Sequence, residues 1–267
     1  GFGTGFAYTM GRSSNKPIGG MTMAQHDEQG RLIREIRPLE GMRKVIAERM
    51  TFSKHEYPQG TGQVRLSVDK LIQFRKELLE QKGIKVSFGD LYVKAAACAL
   101  EENMALNASR QKEKIIYYED INLTVQATIN GVLMEPVVEH ADRKDIEEIS
   151  AELKKTYDYI RKGRLMKVKL EGGTFSVSNL GASLIDSQQP FISPPQGAIF
   201  GINRNCRVPM FDENDNIVPV NLTTFALTID HGLCDGAEVV NFFASLDKVL
   251  QDPWTWMYHR RPAPEEV

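Results

Sequence analysis

Cysteine is scarce: Cys98, Cys206 and Cys234 are the three thiols in 267 residues. No two of them have metal-ligand or redox spacing. A sparse, odd count suits a reducing compartment, so the expected location is cytoplasmic and no metal is expected. No apolar run approaches the roughly 18–20 residues that span a bilayer, so no membrane role is expected. The opening Gly1-Phe2-Gly3-Thr4-Gly5-Phe6 lacks the basic-then-apolar order of a secretory signal. It also lacks the flanking strand and helix of a phosphate-binding glycine loop. A net charge of −2 gives no basic excess for nucleic acid. A Gly-x-Ser-x-Gly elbow is absent, which argues against a serine hydrolase.

What is present is ordinary soluble composition, 42% hydrophobic and 25% charged, in a chain long enough to bury a core. Residues 1–37 show little periodicity and read as an extended arm or linker. A domain is expected over 38–267. Met42, Val45, Ile46 and Met50 recur at helical spacing until Tyr57-Pro58 breaks the helix. Val64, Leu66 and Val68 alternate as a half-buried strand, after which Ser67 is placed as the cap of a helix ending at Gly83. Ser87 starts a second helix, apolar on most sides. Strands are expected at Lys114–Tyr118, Ile121–Ile129 and Val132–Val138, with Asn130-Gly131 as the hairpin turn between the last two. Asp145–Lys162 is an amphipathic helix. Thr174–Ser178, Gly197–Ile202 and Asn216–Asp230 read as strands, and Gly236 to about Leu250 as the last helix. Hairpins mixed with helical crossovers imply an α/β or α+β class with a mixed sheet.

Two segments could carry chemistry. In Leu227-Thr228-Ile229-Asp230-His231-Gly232-Leu233-Cys234-Asp235-Gly236 a strand ends on a histidine, and four residues later a carboxylate opens a helix. A strand end holds a side chain rigidly beside a cleft. Imidazole can accept and return a proton near neutral pH. Asp235 suits a helix N-terminus and could also fix the loop. A turn histidine followed by a plain helix cap would look the same. In Gly173-Thr174-Phe175-Ser176-Val177-Ser178-Asn179, hydroxyls alternate with apolar residues. Such hydroxyls can donate to an oxyanion, although on spacing alone a solvated strand face is the simpler account. Cys234 reads as a small packing residue. The basic run Arg161, Lys162, Arg164, Lys167 and Lys169 reads as a solvated helix end.

Together the segments resemble the catalytic core of the dihydrolipoamide acyltransferases of 2-oxo acid dehydrogenase complexes and, more distantly, chloramphenicol acetyltransferase. The resemblance spans about residues 36–250. It rests on Pro38 to Met50, on Asn130 to Val138 with Ala141-Asp142, on Gly172 to Gly181, on Pro194-Pro195-Gln196-Gly197-Ala198-Ile199-Phe200-Gly201, and on His231-x-x-x-Asp235-Gly236. It implies a chloramphenicol acetyltransferase-like fold, a mixed sheet covered by helices in two layers, assembled as a homotrimer. It further implies that His231 is the general base for a thiol and Ser178 the oxyanion donor. Asp235 would order the loop, and Ser176, Asn179 and Gly236 would lie beside coenzyme A. The active site would fall between subunits, with His231 and Ser178 from different chains.

Four departures qualify this reading. Family members usually read Asp-His-Arg, whereas Gly232 stands in the third position here, so whatever that arginine anchors must be held by another residue or lost. The usual Pro-His of the loop after the first helix is Pro58-Gln59, in a region that bears on acyl preference. A lipoyl domain is not expected in the first 37 residues, so a lipoyl group would arrive on a separate protein. The ending Met257 to Val267 is too polar for the apolar knob that joins trimers into cages, so trimers are expected. Three functions remain in view: acyl transfer between coenzyme A and a thiol, with lipoyl-bearing or dehydrogenase proteins as partners; a structural or assembly core with weak catalysis; and acyl transfer to a small-molecule hydroxyl or amine.

Overall fold

The structure, a computed structural model, describes residues 25–129 and 132–263. The chain divides into two units, 1–48 and 49–267. In the first, a turn after His26 is closed by a β-bridge to Leu32, and the Asp27 carboxylate receives the Arg31 amide and guanidinium. Helix α1, Gly41–Glu56, follows. The glycine-rich opening and the Asn130-Gly131 turn lie outside the described residues.

The second unit is organised by a mixed sheet. Its strands are β1 (Gln59–Ser67), β4 (Leu123–Ile129), β5 (Val132–Met134), β6 (Val137–Val138), β7 (Phe175–Asn179), β8 (Ala198–Phe211) and β9 (Ile217–Asp230). The order is β1-β9-β8-β7-β4-β5, with β6 also on β4. The β4–β7 and β7–β8 pairs are parallel, the others antiparallel. A separate hairpin pairs β2 (Ala108–Gln111) with β3 (Lys114–Tyr117). Helices α2 (Asp69–Lys82), α3 (Phe88–Glu101), α4 (Ile146–Arg161), α5 (Gly236–Gln251) and α6 (Pro253–Met257) complete the unit.

Local chemistry accounts for most boundaries. Ser87 and Asp90 cap α3 reciprocally, as do Asp145 and Glu148 at α4 and Asp235 and Glu238 at α5, which satisfies amides that no helical carbonyl reaches. Gly83 closes α2 at φ 69°, a conformation that costs glycine nothing. Ser67 does not cap α2. Val68 holds that position, while the Ser67 hydroxyl accepts from the Asp69 amide at 3.3 Å and donates to the Asp69 carboxylate. The expected strand over 132–138 is split, because Pro136 has no amide for the ladder and the chain steps from β5 to β6. Strand β8 continues past Ile202 to Phe211, beyond the apolar stretch that revealed it, because β9 pairs with it throughout after a register shift.

The core lies between the sheet and α3, which is buried from Asp90 to Leu100. Phe200 stacks on Phe225 at 5.5 Å, and Phe242 of α5 meets Phe175 and Phe200. Each fully buried Leu or Phe contributes about 1.5–3 kcal/mol by leaving water. This packing makes the sheet a rigid bed, so residues at its strand ends are held in fixed positions.

Candidate active site

Strand β9 ends at Asp230, and His231 begins the turn into α5. The turn is stitched to two strands by its backbone: the His231 amide donates to the Pro58 carbonyl at 2.8 Å, and the Asp230 amide to the Gly197 carbonyl at 2.8 Å. The Leu233 and Cys234 amides both return to the Asp230 carbonyl. The imidazole is exposed and rests against Gly60, where an added Cβ would come within 2.9 Å of its Cδ2. A ring packed against backbone on one side and open to solvent on the other can exchange a proton with an incoming group.

The carboxylate that organises this turn is Asp230, fully buried. It accepts from the Gly232 amide at 2.9 Å, from Arg110 Nε at 2.6 Å and from a terminal Arg110 nitrogen at 3.3 Å. Arg110 also donates to the Glu56 carbonyl at 2.7 Å and lies over the Tyr57 ring. Removing one partner of such a buried pair typically costs about 3–5 kcal/mol. Sequence reasoning missed both residues. Asp230 stands beside the histidine and could have been singled out, whereas Arg110 sits in a short strand without a motif.

Asp235 stands at the helix N-terminus that the sequence assigned to it. Its side chain accepts from the Ala237 amide at 2.8 Å and caps α5. That bond, helped by Glu238 and by the nearby His231, holds its carboxyl below the usual carboxylate range. Gly236, the first residue of α5, has open space where a Cβ would be. Cys234 is buried, and burial with the charges of Glu238, Asp230 and Asp235 pushes its thiol up to about 12. It packs as expected and is a poor nucleophile at neutral pH.

The hydroxyl face of β7 is not the solvated surface its spacing suggests. Thr174 is buried and bonds the Asn122 backbone. Ser176 is fully buried, its hydroxyl donating to Gln196 Oε1, while Gln196 Nε2 donates to Thr124 at 2.7 Å. Ser176 is therefore closed off within this chain. Ser178 is half-buried near the open end of the strand. Asn179 follows it, exposed, with its Oδ1 accepting from the Gly181 amide. Beside Asn179 is a cavity of about 400 Å³ lined by Phe88, Gly89, Tyr92, Asn179, Asn203 and Asn205 among others. It adjoins the capped N-terminus of α3, through Phe88 and Gly89.

Ser178 and His231 do not meet within one chain. Ser178 is level with Gly201, and Gly201 with Ala226, so His231 lies five residues farther along β9. At about 3.3 Å per residue and about 4.8 Å per strand spacing, the two positions are roughly 19 Å apart. The basic residues Arg161 to Lys169 are exposed. Among the described residues no group of three or more His, Cys, Asp or Glu side chains is arranged to hold a metal ion, and no helix is long and apolar enough to cross a membrane.

Comparison with known proteins places this geometry in context. The family described as 2-oxoacid dehydrogenases acyltransferase (catalytic domain) matches residues 33–258. The chain is 29% identical over 254 residues to the dihydrolipoyllysine-residue acetyltransferase component of the pyruvate dehydrogenase complex of Rickettsia bellii, covering 94% of this chain and 60% of that protein. It is 31% identical over 220 residues to the corresponding component of the acetoin cleaving system of Bacillus subtilis, covering 81% and 55%. The chain thus spans little more than half the length of these relatives. A solved structure of a probable dihydrolipoamide acetyltransferase from Listeria monocytogenes superposes with TM-score 0.76 at 27% identity, covering 86% of this chain and 97% of that one. Chloramphenicol acetyltransferase shares the fold, with TM-score 0.50 at 16% identity over 82% of this chain and 100% of that one. The α/β fold with its mixed sheet is the one these enzymes share, and the chain belongs to the 2-oxoacid dehydrogenase acyltransferase family, as its catalytic domain.

Proposed function

We propose that this chain is a coenzyme A-dependent acyltransferase. It moves an acyl group between coenzyme A and a thiol, that of a dihydrolipoyl group, and it works as a homotrimer whose sites lie between subunits. The observation that carries this reading is the exposed imidazole of His231, seated against Gly60 at the rigid end of β9.

His231 takes the proton from the attacking thiol. With an ordinary thiol pKa of about 8.5, a neutral imidazole needs to provide only modest assistance. The thiolate adds to the thioester carbonyl, and the negative charge moves to the carbonyl oxygen. Ser178 of a neighbouring protomer donates a hydrogen bond to that oxygen, a contribution typically worth roughly 3–4 kcal/mol. The tetrahedral adduct collapses, the second sulfur leaves, and the imidazolium returns its proton to it. No acyl-enzyme is required, because one thioester is exchanged for another of similar energy.

The separation of Ser178 from His231 along the sheet supports a second chain as the source of the donor. Asn179, Gly236 and the neighbouring cavity are the proposed contacts for coenzyme A, and Ser176 supports the donor strand from behind. Asp235 fixes the start of α5. The acyltransferase domain is assigned to residues 38–267. Lipoyl-bearing and dehydrogenase proteins are the proposed partners, in the cytoplasm. The test is acyl transfer from acetyl-coenzyme A to dihydrolipoamide: His231→Ala should lower kcat by about 10³-fold, and an unchanged rate removes the mechanism.

A further inference from the structure

We propose that Arg110 is the positioning residue for His231, supplying from β2 the guanidinium that neutralises Asp230 and fills the space beside Gly232. The proposal rests on the acyltransferase reading above.

The first argument is space. A Cβ built on Gly232 would lie 2.8 Å from Arg110 Nε, 3.2 Å from its Cδ and 3.3 Å from its Cζ. The volume that a side chain at 232 would need is filled by Arg110. An arginine at 232 and the present position of Arg110 therefore exclude each other. The second argument is charge. Asp230 is fully buried directly before the catalytic histidine, and Arg110 is the cation paired with it, at 2.6 Å. A buried carboxylate without a cation would be driven toward solvent or toward protonation, and the turn would move with it.

The third argument is reach. Arg110 binds Asp230 through two nitrogens, and one of these also donates to the Glu56 carbonyl. Its Cζ lies 5.3 Å from the centre of the Tyr57 ring. Glu56 and Tyr57 immediately precede Pro58, whose carbonyl takes the His231 amide. One guanidinium thus joins both walls between which the histidine backbone is held. A lysine, with a single point of charge, could not span these partners in one plane.

The test is a transposition: wild type, Arg110→Met, Gly232→Arg, and the double variant. Each single change is expected to lower kcat about 100-fold, the cost of a small misplacement, with little change in KM for coenzyme A. The double variant should recover most of that loss, since the guanidinium returns from the other side of the same space. The ring ¹⁵N resonances of His231 give a readout that does not need turnover. They should shift in each single variant and return in the double. A double variant whose defects simply multiply, with the ring still displaced, overturns the proposal, as does an Arg110→Met chain with unaltered resonances. If Arg110→Met does not fold, a folded double variant supports the transposition and an unfolded one overturns it. If the wild type transfers no acyl group, the function fails while the resonances still decide the role of Arg110.

Discussion

The two regions of the sheet that hold the proposed catalytic groups are built from different materials. The His231 turn is held by charge: a buried aspartate, an arginine from a distant hairpin and a helix-capping carboxylate. The Ser178 strand is held by neutral groups, with Gln196 linking the Ser176 and Thr124 hydroxyls beneath it. Strong local charge suits a ring that must stay fixed while its own charge changes. A hydroxyl that only donates a hydrogen bond can be placed by sheet pairing and amide bonds. On this view, crowding the imidazole alters rate, loss of a hydrogen bond beneath the neutral strand alters stability, and loss of Arg110 alters both.

The sharpest way to break the comparison is mixing. Ser178→Ala should lower kcat about 10²-fold or more, less than His231→Ala. Trimers reassembled from equal amounts of the two variants should recover about a quarter of the sites by random assortment. No recovery would return both groups to one chain. Next in size is Gly60→Ala. Its methyl would meet the imidazole at 2.9 Å, so kcat should fall about 10- to 100-fold while the thermal midpoint barely moves. Gln196→Leu should do the reverse. It leaves two buried hydroxyls poorly satisfied and costs about 2 kcal/mol of stability, seen as a midpoint lowered by several degrees, with kcat reduced less than about tenfold.

The smallest effects are titrations. Asp235 has its folded pKa lowered chiefly by the Ala237 amide. Its stabilisation is therefore present above the ordinary carboxylate value, about 3.9, and is lost as pH falls through the lower folded value. A ¹³C carboxyl titration should find its midpoint below that value. A midpoint at or above it would dissolve the cap. Cys234, with its thiol pushed up to about 12, should resist alkylation at pH 8 in the folded chain and react after denaturation, as mass spectrometry would report.

Much of this was legible in the sequence where the signal is local. The caps at Ser87, Asp145 and Asp235 each have their acidic partner three residues on, and those helices begin where expected. His231 stood out because a strand ends beside it. What stayed hidden depends on distant partners or on weak patterns. Strand β2 has four residues and no alternation of polarity. Helix α6 is a single short turn opened by Asp252 and Pro253. The buried network under β7 joins Ser176 to a glutamine twenty residues away, and Arg110 lies 120 residues from the aspartate it pairs with. Such pairings leave no periodicity to read.

The crowding between Gly232 and Arg110 also limits what protein engineers can exchange. A His-containing loop taken from a relative with arginine in its third position would arrive with a side chain and find the seat occupied. A working graft must bring position 110 with it. Exchanging one residue at a time passes through a form with two guanidinium groups competing for the same cavity, or through one with neither, so the two positions have to be changed together.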